Sequence, residues 1–196
     1  MTRRLFLAFK TAVFGALLTL NFAAQANEQN PQVLIETNKG SILVELYPKQ
    51  APKTVENFLG YVNEQFYDGT VFHRVIKNFM VQGGGFDKNL NRKPNHDPIK
   101  SEADNGLRNR IGTLAMARTN DPHSASAQFF INTNQNSFLD HREKSSSQAW
   151  GYTVFGRVIK GMQVVNEISN TPTGFKNGMG DVPAETIEII KARQVK

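Results

Sequence analysis

The chain has 196 residues, 39% of them hydrophobic and 20% charged, with 23 Lys and Arg against 17 Asp and Glu. That length fits one domain with a substantial core better than two, and the balance of apolar and charged residues excludes a disordered chain. Cys is absent, which excludes disulfides, thiolate catalysis and thiolate metal sites and is compatible with an oxidising compartment.

Residues 1–26 read as a cleaved secretory signal peptide and not as part of the fold. Arg3, Arg4 and Lys10 precede an apolar stretch, Ala12 to Leu20, and Ala24-Gln25-Ala26 then supplies a small-x-small cleavage pattern. Asn21 and Gln25 cut the apolar stretch short of the ~20 residues a membrane span needs. The basic residues precede an unbroken apolar patch, whereas a mitochondrial presequence spreads them along an amphipathic helix. Without Cys there is no site for a lipid anchor, so no stable membrane association is expected after cleavage. Removing these residues leaves 20 Lys and Arg against 17 Asp and Glu, a net +3 with no long basic run. Nucleic acid is therefore not an expected partner.

The remainder, 27–196, reads as a single domain. Val33, Ile35, Ile42, Val44 and Leu46 alternate about a turn at Asn38-Lys39-Gly40, the pattern of a hairpin. The period then changes. Val55, Phe58, Leu59 and Val62 fall at i, i+3, i+4 and i+7 of an amphipathic helix, with Pro52 in its first turn. Strands are predicted at Val71–Ile76, Phe79–Gln82, Ile111–Met116, Gln128–Ile131 and Thr153–Ile159. A short helix follows at Met162–Ser169, and the chain closes with Glu185–Ala192, where Ile187 and Ile189 alternate with Glu188 and Ile190. Many short strands with two helices predict an all-β barrel or sandwich and not a doubly wound sheet. Loops 84–109, 118–127 and 139–151 are long enough to carry function.

Several chemistries lack their motifs. His73, His96, His123 and His141 form neither H-x-x-H nor H-E-x-x-H, so neither a zinc site nor any other metal is expected. Gly83-Gly84-Gly85 lacks the spacing of a phosphate loop and reads as a strand end that needs unusual backbone angles. G-x-S-x-G does not occur, which weakens a serine-hydrolase reading.

Four segments carry a sharper signal. They are Phe72-His73-Arg74 running on to Phe79-Met80-Val81-Gln82-Gly83-Gly84, then Ala127-Gln128-Phe129-Phe130-Ile131, then Phe138-Leu139-Asp140-His141, and Val154-Phe155-Gly156 running on to Gly161-Met162. An Arg inside a strand pattern must reach solvent or a partner. A buried Gln must likewise find hydrogen bonds. Together, in this order and spacing, the segments resemble the cyclophilin family of peptidyl-prolyl cis/trans isomerases, from about Val33 to Ala192.

The resemblance implies a closed eight-stranded antiparallel barrel capped by two α-helices. It implies a rotamase that uses no cofactor. It puts the catalytic arginine at Arg74, the proline pocket at Phe79, Met80, Phe130 and Leu139, the substrate-binding glutamines at Gln82 and Gln128, and the pocket rim at Ala117. Phe138 stands where the best-known eukaryotic members have Trp, Tyr152 where they have His, and Arg118 where they commonly have Asn. Phe138 and Tyr152 keep an aromatic wall and a polar hydroxyl in the site, and weak cyclosporin binding is expected. This combination resembles the periplasmic bacterial branch, so the expected partners are proline-containing, unfolded or partly folded exported proteins, met by a monomer in the periplasm. Two other readings stay open: a cyclophilin-like chaperone that only holds peptides, and a barrel that carries an apolar ligand.

Overall fold

The computed structural model describes residues 29–195, and the expected signal segment lies outside them. The first hairpin pairs β1 (Gln32–Thr37) with β2 (Gly40–Leu46) in regular antiparallel register. Their alternate residues Val33, Ile35, Ile42, Val44 and Leu46 are all buried in the main core, as the period-2 pattern requires. Next come α1 (Pro52–Asn63), β3 (Thr70–Ile76), β4 (Met80–Asp87), β5 (Thr113–Met116) and β6 (Phe129–Asn132). A single 3₁₀ turn at Ser137–Leu139 and the one-turn α2 (Ser147–Trp150) precede β7 (Val154–Lys160), α3 (Met162–Ser169), β8 (Thr173–Lys176), β9 (Met179–Pro183) and β10 (Glu188–Val195).

Eight strands close into a barrel in the order β1-β10-β3-β4-β6-β5-β7-β2, with β2 returning to β1. Closure leaves the barrel no free edge. Side chains from the strands, from α1 (Val55, Phe58, Tyr61) and from α3 (Val165, Ile168) form one continuous core. Phe58 meets Tyr67, Phe129 and Phe155 at centroid distances of 5.2, 5.5 and 5.1 Å, so much of the Phe excess fills the interior. Glu102, from the loop after β4, caps α1: its carboxylate accepts from the amides of Lys53 and Thr54 at 3.1 and 2.9 Å. Two of the donors that a helix N-terminus leaves unpaired are thereby satisfied.

Two features depart from the sequence expectation. Strand β4 does not stop at Gln82 but runs through the glycines to Asp87. Only Gly84 of the three has a left-handed backbone, with φ of 79°, so the run is interior strand with one special position and not a strand end. A second, two-stranded sheet of β8 and β9 lies outside the barrel. Every residue of β8 is exposed, so it carries no apolar alternation for a sequence reading to detect.

Candidate active site

Alternation on the barrel strands makes two cores from one sheet. On β4, β6, β5 and β7 the residues Val81, Phe129, Ile131, Leu114, Met116 and Phe155 point into the barrel. Their neighbours Met80, Phe130, Ala115 and Val154 form a second apolar cluster on the outer face, joined by Leu139. On β3, Phe72 and Val75 both belong to the barrel core. Residues three apart share a face only because the β3–β4 register slips between Phe72 and Arg74. A β-bulge of this kind re-aims side chains, and Arg74 joins the outer face. A cross-strand row then runs Arg74–Gln82–Phe130–Ala115–Val154, each residue directly opposite the next.

That row underlies an open pocket of about 210 Å³ lined by Arg74, Phe79, Met80, Gln82, Ala117, Arg118, Phe130, Leu139 and Tyr152. The size suits one ring-sized group and not a drug-sized ligand. Of the ten positions carried over from the resemblance, all but Gln128 and Phe138 line it. Gln128 lies beside it, accepting a hydrogen bond from the Gln82 amide at 3.0 Å. Phe138 is 63% exposed and stacks on Phe79 from outside, centroids 5.5 Å apart. The ring of Tyr152 meets Phe130 edge-on at 5.7 Å.

Arg118, noted from the sequence only as a replacement, is a structural member of the rim. Its Nε donates to the Gly151 carbonyl at 2.9 Å, and its two terminal nitrogens donate to the Thr119 and Ser147 carbonyls at 2.8 and 2.6 Å. The guanidinium also lies 4.5 Å from the Tyr152 ring centroid. One planar fork thereby ties the end of β5 to the α2 segment and fixes the Tyr152 wall.

A buried asparagine network stands behind the pocket. Asn136 donates to the Phe79 carbonyl at 2.8 Å and to Asn132 Oδ1 at 2.6 Å. Asn132 donates to Asn109 Oδ1 at 3.1 Å, and Asn109 donates to the Leu139 carbonyl at 3.1 Å. All three are almost wholly buried, at 2, 0 and 1% exposure for Asn136, Asn132 and Asn109. Two walls of the pocket, Phe79 and Leu139, therefore hang from one set of amides that the sequence reading passed over. The available signal was three asparagines adjoining apolar strands.

Electrostatically, Arg74 is half-exposed, and its Nε donates to Asp181 Oδ2 at 3.4 Å. Its neighbour His73 is buried and packs on Phe86 at 4.5 Å, and its Nδ1 has no hydrogen-bond partner among the described residues. Burial lowers the His73 pKa to about 4, the Val71 backbone opposing the shift and the Arg74 charge adding to it. At neutral pH the imidazole is uncharged, and the fixed positive charges of the pocket are the guanidinium groups.

The chain matches the model of the cyclophilin-type peptidyl-prolyl cis-trans isomerase family over residues 32–194. It is 54% identical over 161 residues to a peptidyl-prolyl cis-trans isomerase of Streptomyces antibioticus, covering 82% of this chain and 96% of the relative. It is 44% identical over 196 residues to peptidyl-prolyl cis-trans isomerase A of Dickeya dadantii, covering 100% of both. A crystal structure of a Cryptosporidium parvum cyclophilin, solved in the presence of the dipeptide Ala-Pro, superposes with a TM-score of 0.68. It shares 27% identity with this chain, and the match covers 84% of this chain and 99% of that one.

Proposed function

The chain belongs to the cyclophilin-type peptidyl-prolyl cis/trans isomerases, and we propose that it turns X–Pro bonds in exported proteins by non-covalent stabilisation of the twisted state, with Arg74 as the catalytic group. The X–Pro bond resists rotation because the nitrogen lone pair is shared with the carbonyl, giving a barrier of ~18–20 kcal/mol. Bringing an exchange of tens of seconds down to milliseconds needs about 10⁴–10⁵-fold acceleration, or roughly 5.5–7 kcal/mol. No covalent step is required, and the reading calls on no cofactor.

In the twisted state the prolyl nitrogen is pyramidal and regains its lone pair. A guanidinium N–H can then donate to a nitrogen that accepts no hydrogen bond while planar, so Arg74 favours the transition state over both ground states. The proline ring sits in the apolar hollow of Phe79, Met80, Phe130 and Leu139. Gln82, held by Gln128, binds the carbonyl side while the other half of the bond turns. The observation that carries this reading is the cross-strand row that sets Arg74 beside Gln82 and Phe130 at one pocket.

The basic, apolar and small-residue order of residues 1–26 supports export to the periplasm, where a monomer would meet unfolded and partly folded proline-containing chains. The test is a coupled peptide isomerisation assay on protein recovered from the periplasm, with Arg74→Ala alongside. Protein beginning at Asn27 supports the exported substrates, and fast turnover by wild type with near-background turnover by a folded Arg74→Ala supports the activity and the role of Arg74. An uncleaved cytoplasmic protein would remove the exported substrates. Unaffected turnover in Arg74→Ala would remove the mechanism.

A further inference from the structure

We propose that Asp181 is a positioning residue for Arg74, holding the guanidinium from behind so that its terminal nitrogens stay turned to the pocket. The proposal rests on Arg74 being the catalytic group. Arg74 carries a long side chain with rotational freedom, 42% exposed at a rim, and an untethered guanidinium there samples many rotamers. A donor that acts only in the transition state must be oriented beforehand. Its one hydrogen bond among the described residues is from Nε to Asp181 Oδ2 at 3.4 Å. Nε is the pivot of the fork, so pairing it fixes the plane and leaves both terminal nitrogens free.

The geometry of Asp181 supports this role. It lies on β9, in the hairpin outside the barrel, and β9 packs beside β3, the strand of Arg74. Its φ is 62°, in the left-handed region where glycine fits without strain and where Asp is one of the few other residues found. A glycine would serve the chain path equally well but would bring no carboxylate. Asp181 and Arg74 line one groove, with Met179 and Gly180 from the hairpin and Gln128 from the substrate side. The hairpin thus reaches the site with an acidic group at a position that the backbone would yield to glycine.

This conformation supplies a test that separates positioning from folding. Asp181→Gly removes the carboxylate while suiting the backbone, and Asp181→Asn keeps an acceptor oxygen. Steady-state isomerisation, thermal unfolding and the ¹⁵N–¹H signal of Arg74 Nε would be measured on wild type, both variants, Arg74→Ala and the Arg74→Ala/Asp181→Gly pair. For a half-exposed ion pair the expected loss in Asp181→Gly is about two- to fivefold in kcat, with KM little changed. Its melting temperature should stay level or rise, the Arg74 Nε signal should show increased mobility, and Asp181→Asn should lose less than Asp181→Gly. The Asp181→Gly effect should vanish in the Arg74→Ala background. Wild-type kcat in Asp181→Gly, an equal loss in the Arg74→Ala background, or an unchanged Nε signal would overturn the proposal. Full turnover by Arg74→Ala alone would instead sink the reading of Arg74, and the positioning role with it.

Discussion

Gly85 lacks a Cβ, and the Gln128 side chain occupies the space one would fill: a Cβ built there would stand 2.6 Å from Gln128 Cδ. This is why Gln128 can fold back over β4 and accept from Gln82. The glycine is a matter of close approach, since its neighbour Gly84 and not Gly85 has the left-handed backbone.

Gly85→Ala should therefore displace Gln128 without unfolding the barrel, because the obstructing atoms, Cγ, Cδ and Nε2, all belong to one half-buried side chain that can rotate away and none belongs to backbone. Losing the Gln82–Gln128 hydrogen bond leaves unfixed the Gln82 amide that is proposed to bind the substrate carbonyl, at the cost of one ordinary hydrogen bond. The expected loss in kcat/KM is about two- to tenfold, carried mainly by KM. Steady-state kinetics on the variant checks this, and a wild-type KM would show that the Gln82–Gln128 pair does not orient substrate.

The asparagine network makes a different kind of prediction. Asn132 is fully buried and bonds to Asn109, Thr113 and Asn136. Asn132→Ala strips partners from amides that water cannot reach, and a stability loss of about 1–3 kcal/mol is expected from urea unfolding. Because Phe79 and Leu139 hang from the same network, kcat/KM should fall as well. An exposed control, Asn134→Ala, which loses two solvent-exposed hydrogen bonds, to the Asn78 carbonyl and from the Gln135 amide, should change neither by a comparable amount. Equal effects at the two sites would deny the network its special role.

What the sequence made legible follows the reach of each signal. Helix α3 falls on the predicted Met162–Ser169, because its i, i+3 apolar spacing is local and its flanks are polar. The outer-face residues of the pocket could be named because their motifs resemble those of a known family, not because any local pattern marks a pocket. Strand closure is non-local: β10 pairs with β1 on one side and β3 on the other, and no window of sequence contains that. The β8–β9 hairpin escaped because Thr173-Gly174-Phe175-Lys176 is exposed throughout and its turn reads as loop chemistry. Asp181 escaped with it. The four-residue α2 is a single turn, too short for the helical period to repeat.

His73 precedes Arg74 on β3 and is 5% exposed. In the folded protein its pKa is about 4, lowered from 6.5 chiefly by burial. Unfolded, the imidazole takes a proton at its ordinary value, so between these limits the unfolded chain binds more protons than the folded one. Stability is therefore fully present above about pH 6.5, falls as the pH drops toward 4, and levels off below, the loss approaching roughly 3 kcal/mol. Carboxylates also contribute to acid sensitivity, and comparison with His73→Gln isolates the histidine. Gln cannot gain a proton, so any packing or hydrogen-bond cost it brings is the same at every pH. Urea midpoints measured from pH 7.5 to 4.5 should fall more steeply for wild type than for His73→Gln. Parallel curves would mean that the imidazole is protonated in the folded protein or rehydrated by local opening of β3, the strand that carries Arg74.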